Sequence, residues 1–230
     1  MIGLAFGTVV VLVVGGFFLL AALLIGLAVF AARRRRDAMA GFAAAREWRF
    51  HETGPGLEDR FRGRPFGLGH ARGARNVIEG RYEGRWFLAF DYLYTIGSGD
   101  DSNHHTYSVV SMSLEPHRTP MLEVMPQGWF GRLIGGLLGN DLQVGDPAFD
   151  DAFGVRTDSP AFARDVLHPG FTSQIMNLRD RAWRLQDDSL LLLRHGHHSP
   201  QEIEAVLGSA KMIIDAIPRH VWDRLDGTAR

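Results

Sequence analysis

Residues 76–95 read NVIEGRYEGRWFLAFDYLYT, and this stretch decides the fold. Two runs rich in aromatic and β-branched residues, 76–82 and 85–95, flank the dipeptide Glu83-Gly84. A two-residue break of that kind between two such runs predicts a β-hairpin. Side chains on a strand alternate faces with a period of two. In the second arm Trp86, Leu88, Phe90, Tyr92 and Tyr94 therefore share one face. Phe87, Ala89 and Leu93 share the other, interrupted by Asp91. Two apolar faces predict a central strand covered on both sides.

Working outward, further strands are expected at 107–114, 122–125 and 153–157, and a second hairpin joins 183–186 to 190–194 across Asp187-Asp188. Asp158-Ser159-Pro160 opens a helix, with a cap residue before a proline in the first turn. Pro169-Gly170 breaks it, and Phe171, Ile175 and Leu178 follow at helical spacing. Ser199-Pro200-Gln201-Glu202 is a capping box opening a last long helix, whose buried face is Ile203, Val206, Leu207, Ile213, Ile214 and Ile217. Pro218 ends it, and a frayed tail follows. Short turns between strands, with helices late in the chain, predict an α+β domain built on a mainly antiparallel sheet with C-terminal helices packed on it.

Before this domain lies an anchor. From Ile2 to Ala32 only Thr8 carries a polar side-chain group. Those 31 residues would form a helix of roughly 46 Å, whereas the hydrocarbon core needs about 20 residues. The span is placed near residues 9–30, with the surplus beyond the interface or taken up by tilt. A cleaved secretory signal would have a shorter apolar core preceded by positive charge, and neither condition is met. Arg33, Arg34, Arg35 and Arg36 follow at once. By the positive-inside rule they place the N-terminus outside and the rest of the chain in the cytoplasm. Gly3 and Gly7, Ala22 and Gly26, and Ala28 and Ala32 recur at four-residue spacing, which offers a face for a homodimer through the anchor. The expected division is an anchor with its Arg stop-transfer run at 1–36, a juxtamembrane helix and linker at 37–64, the globular domain at 65–218 and a tail at 219–230.

Composition narrows the function. The chain of 230 residues has no cysteine, which excludes disulfides, thiolate metal sites and a cysteine nucleophile. Net charge is −1, and no aromatic ribonucleoprotein motif is present, so nucleic acid is not an expected partner. Residues 33–85 hold 13 Arg against 7 acids, so the basic part of the chain sits beside the membrane. Anionic lipid attracts such segments by about 1 kcal/mol per basic residue near the surface. The apolar segment 128–139 is expected to cap the core, the other reading being a loop touching the bilayer.

The segments 46–50 (REWRF), 65–69 (PFGLG), 76–80 (NVIEG), 89–94 (AFDYLY), 122–126 (LEVMP), 149–155 (FDDAFGV) and 165–169 (DVLHP), in this order after an N-terminal span, resemble a family of uncharacterised actinobacterial single-pass membrane proteins carrying a domain of unknown function. The resemblance covers about residues 46–218, and 24 of the 25 basic residues being Arg fits a GC-rich genome of that kind. Gly170-Phe171 departs from the pattern, which has an Arg there. The resemblance implies architecture and no catalytic residues.

Candidate chemistry is sparse. His195 and His197 would share a strand face and are weak metal-ligand candidates, with no third ligand at metal-site spacing. No cofactor is expected. Ser98 lies in Gly97-Ser98-Gly99, which is not a nucleophile elbow. The pairs Asp150-Asp151 and Asp187-Asp188 are expected to be solvated, the first on a strand and the second in a turn. Asp91, inside an aromatic strand, needs a partner if buried; a neighbouring arginine such as Arg75 or Arg85 is expected to supply it, and the alternative is that it marks a pocket. The reading is a membrane-tethered cytoplasmic module, non-enzymatic, that binds an envelope protein or anionic lipid, with Arg33–Arg36 toward lipid. The alternative is a membrane-anchored hydrolase using a His/Asp pocket.

Overall fold

The structure, a computed structural model, describes residues 2–127, 129 and 142–227. Helix α1 (Ile2–Ala44) runs unbroken through the apolar segment and the four arginines. It carries the candidate membrane span, with a mean hydropathy of 2.6 and no protein covering it. Its last turns do different work: Met39 and Ala43 are fully buried in the domain core. The helix stops because Glu47 takes a left-handed conformation (φ 59°), which lets the Trp48 amide close on the Ala43 carbonyl.

Eight strands then form one wholly antiparallel sheet: β1 (Arg49–Thr53), β2 (His70–Tyr82), β3 (Arg85–Ile96), β4 (Asn103–Ser113), β5 (Thr119–Pro126), β6 (Phe153–Thr157), β7 (Ala182–Asp187) and β8 (Ser189–His195). The order across the sheet is β1-β2-β3-β4-β8-β7-β5-β6. Glu83 and Gly84 both have positive φ (47° and 87°), as a tight hairpin turn matching strand twist requires. β3 lies inside the sheet as expected, and each of its faces has a core. Phe87 and Ala89 join the larger core with α1, the C-terminal helices, Trp183 and Leu192. Phe90, Tyr92 and Tyr94 join the smaller one beneath Phe61 and Phe66 of the 54–69 loop. Arg184, 1% exposed, pins that loop by bonding Glu123 and the carbonyls of Arg62 and Arg64.

The further α-helices among the described residues are α2 (Pro147–Ala152), α3 (Pro160–Val166), α4 (Pro169–Ile175), α5 (Pro200–Ala216) and α6 (Arg219–Leu225). Several sequence expectations change. Residues 49–53, expected as helix end and linker, form edge strand β1. Pro169 begins α4 at its first position rather than merely separating two helices. Asp150 and Asp151 lie on α2, not a strand, and the Asp150 carboxylate accepts the backbone N–H groups of Val144 and Gly145. Residues 219–225 are helical where a frayed tail was expected, held by Val221 in the core and Trp222 stacked on His117 (4.7 Å). The segment 128–139 lies outside the described residues except for Trp129, whose ring packs on Tyr107 (5.9 Å).

α1 lies antiparallel to β1 and β3. Arg35 meets Asp91 of β3 (2.8 Å) and Arg36 meets Glu52 of β1 (2.9 Å). Two turns further from the span, Phe42 packs on Trp48 (5.8 Å), and Trp48 on Phe87 (4.7 Å). Gly80 makes room for that indole, since a Cβ there would come within 2.4 Å of it.

Candidate functional site

The site forms where α1 leaves its apolar stretch. The strand β2 carries one extra residue between Arg75 and Ile78, which face Asp91 and Ala89. Such a bulge turns a side chain out of its regular position. Asn76 supplies it with a left-handed backbone (φ 50°), a conformation asparagine tolerates better than most residues. Its amide thereby donates to Asp91 Oδ2 at 2.9 Å. From β8, Gly196 turns the chain with φ 98°, so the His198 backbone N–H donates to Asp91 Oδ1 (3.1 Å). Arg35 closes the group, donating to Asp91 Oδ2 (2.8 Å) and to the His198 carbonyl (2.7 and 3.1 Å).

Asp91 is 1% exposed, so its charge depends on these donors. Burial alone would raise its carboxyl. Hydrogen bonds from His197 and Asn76, with the charge and hydrogen bond of Arg35, outweigh burial and hold it at about 2. The His198 ring is itself buried, facing the Val109 carbonyl at 3.0 Å, and burial pushes it below the ordinary histidine range. Asp91 thus has a structural partner, but that partner is Arg35. Arg75 stands opposite it in register without bonding, and Arg85 donates to the Ser113 carbonyl (3.1 Å) instead.

Above this group opens a cleft of about 430 Å³, lined by Ala31, Ala32 and Leu93 on its apolar side. Arg35, Arg36, Arg75, Asn76, His197, Thr53, Glu52 and Asp91 line the polar side. Three guanidinium groups face two carboxylates, so arginines exceed acids by one in the described lining. Arg75 is exposed. Arg33 and Arg34 are exposed on the helix outside the cleft, so the four-arginine run divides between domain and surroundings.

His195 and His197 do not share a face. His195 ends β8 against Tyr107 (5.1 Å) and His105 (6.4 Å), whereas His197 sits 3.4 Å from Asp91 Oδ2. Among the described residues no group of three His, Cys, Asp or Glu could hold a metal ion. The Asp91–His197 pair has the composition of an acid–base dyad, but Thr53, the one hydroxyl of the described lining, makes no hydrogen bond to His197. The sequence pointed to Asp91, His197, Arg35 and Arg36; Arg75, expected as a partner for Asp91, lines the cleft without bonding it, and Asn76 was missed. An asparagine inside a strand run, where its propensity is poor, was the available signal for the bulge.

No protein-family model matches the chain, and no curated protein does. Among solved structures, the crystal structure of the mycobacterial trehalose monomycolate transport factor A, TtfA, shares the fold with a TM-score of 0.58 and 12% sequence identity. The match covers 80% of this chain and 94% of that one. At that identity the likeness is one of fold, to an actinobacterial protein.

Proposed function

We propose that this chain is a single-pass membrane protein of the cell envelope whose domain binds an anionic lipid by its headgroup in the cleft beside Arg35. The observation that carries the reading is the cleft's composition and place. It has an apolar wall made by the last two residues of the apolar helix run, a polar wall in which arginines exceed acids by one, and an exposed Arg75. A phosphodiester headgroup with acyl chains presents the complementary surfaces: one negative charge for Arg75, with Arg36 shared between it and Glu52, and hydrocarbon for the helix. Arg35, held by Asp91, shapes the cleft rather than serving as its free donor. The fold is shared with a protein named as a transport factor for a mycolate lipid, which agrees with a lipid ligand. Arg33 to Arg36 favour a cytoplasmic domain with the N-terminus outside. The anchor at 1–36 holds the domain at 65–218, whose sheet and cores also take in the juxtamembrane segment 37–64 through Met39, Ala43, β1 and Phe61, and the terminal segment 219–230 through Val221.

Native mass spectrometry of the full-length protein, extracted in mild detergent, tests the reading. A phospholipid adduct retained by the wild type and lost in Arg75→Ala and in Arg36→Ala is the expected result. Equal retention in all three would overturn it.

A further inference from the structure

The registration of α1 against the sheet fixes how deep the domain sits. Arg35 is level with Asp91, and Ala31 and Ala32 are level with Leu93. From Asp91, β3 continues toward the anchor for five residues to Ile96, about 16 Å at ~3.3 Å per residue. From Arg35, the apolar run begins only three residues away at Ala32, about 4–5 Å along the helix. Continued along the direction set by the Arg35–Asp91 and Phe42–Trp48–Phe87 contacts, the sheet overhangs the end of the apolar run by about 12 Å, which brings Ile96 to the height of Leu24. Beyond Ile96 comes the β3–β4 turn, Gly97 to Ser102, containing an exposed Asp101 and a turn of 3₁₀ helix at Gly99–Asp101.

This turn is built into the sheet end. The His70 ring bonds the Gly97 carbonyl (2.8 Å), and Thr95 Oγ1 bonds His104 Nδ1 (3.0 Å). Gly69 lies so close that a Cβ would fall 2.1 Å from the Thr95 carbonyl oxygen. The turn therefore cannot fold back without breaking these contacts.

Two opposed forces act on such a molecule. Leu19, Leu20, Leu23 and Leu24 are each more than half exposed, and the hydrophobic effect draws them into hydrocarbon. A turn carrying an exposed aspartate cannot follow them, because a charged side chain in hydrocarbon costs several kcal/mol. The domain sinks until the turn meets the headgroup layer, about 5–7 Å deep on each side of a bilayer. The anchor's length agrees with this stopping point. Its apolar run exceeds the hydrocarbon core by about 16 Å, close to the overhang of the sheet.

We propose that the β3–β4 turn, 97–102, rests in the lipid headgroup layer as a second contact of the domain with the bilayer. The hydrocarbon boundary then crosses α1 near Leu24 rather than at Ala32. Open strand ends at the same level are His70 of β2 and His104 of β4, both polar enough for that layer. The placement stands whether or not the cleft binds lipid. If it does, a headgroup seated beside Arg35 is lifted about 12 Å above its neighbours, with its chains along the exposed face of α1 between Leu24 and Ala32.

The chain has no native cysteine, so one label can be placed cleanly. Ser98→Cys, on the exposed turn, and Arg118→Cys, on the exposed β4–β5 connection at the opposite end of the sheet, are each labelled with bimane in the full-length protein. Both are reconstituted in phosphatidylcholine–phosphatidylglycerol (3:1) vesicles carrying a headgroup spin label or a mid-chain spin label. The expected result is at least twofold stronger quenching of residue 98 than of residue 118 by the headgroup label, with the mid-chain label less effective at 98. Equal quenching at the two positions would overturn the placement, as would stronger quenching of residue 98 by the mid-chain label. Gly97→Ala supplies a second readout: with φ 87° and the Asp101 carbonyl 2.5 Å from the added Cβ, it displaces the turn. Its effect on residue 98 is a reduced headgroup quenching. Unchanged quenching would argue that the turn makes no such contact.

Discussion

Replacing Asp91 by alanine should be among the most damaging single changes in the domain. The carboxylate is 2% exposed at its side chain and receives Arg35, Asn76 and the His198 amide. Removing it leaves the His198 N–H and the Asn76 amide without that partner and strips Arg35 of its counter-ion. Breaking a buried pair on one side costs about 3–5 kcal/mol. Arg35 is 26% exposed and keeps the His198 carbonyl, so the lower end, about 3 kcal/mol, applies. For a domain of this size about 1 kcal/mol moves Tm by roughly 2–4 °C, giving a drop of about 6–12 °C. Tryptophan fluorescence of the full-length protein in detergent, heated with and without the substitution, measures it. Arg35→Ala should cost nearly as much, because it leaves a buried carboxylate without a cation. The double variant should lose clearly less than the sum, since each single change destroys the same pair. A drop of under 2 °C for Asp91→Ala, or full additivity in the double variant, would refute the reasoning.

Acid should destabilise the domain in two steps. The unfolded state binds a proton at His198 first, near the ordinary histidine value of 6.5, so stability falls as pH drops below that; His198→Asn should flatten this part of a Tm–pH curve. Asp91, held at about 2 against 3.8, contributes about 2 kcal/mol that is present above pH 4 and lost as pH falls toward 2, a limb that Asp91→Asn should remove. Arg184→Met should cost about 3–5 kcal/mol by orphaning buried Glu123, and should expose residues 57–68 to protease; adding Glu123→Leu should restore part of the Tm. Gly69→Ala, strained by its φ of 62° and its contact with the Thr95 carbonyl, should speed amide exchange at residues 95–97 measured by mass spectrometry.

The sheet was readable because its signals are local. Glu83-Gly84 fixes a hairpin register by itself, and alternation along 86–94 assigns two faces without knowing what covers them. β1 escaped because an edge strand paired on one side needs little apolar content, and Arg49–Thr53 offers Phe50 alone as a large apolar residue. The Asp91 partner escaped for a different reason. Arg35 is 56 residues away and His198 is 107 away, so only the packing of α1 and the turn at Gly196 brings them together. Arg75 and Arg85, on the same hairpin as Asp91, were the expected partners, and neither bonds it. The run of four arginines read as a topology signal also hides its division, because helical spacing turns Arg35 and Arg36 toward the sheet and leaves Arg33 and Arg34 exposed.

The proposed function rests on the cleft beside Arg35 taking an anionic headgroup. The most direct measurement is titration of fluorescent phosphatidylglycerol into the full-length protein in a non-ionic detergent, read by anisotropy. Saturable binding at one site per chain is expected, weakened at least tenfold by Arg75→Glu and unchanged by Arg118→Glu at the far end of the sheet. Binding that never saturates, or that both charge reversals weaken equally, would contradict it.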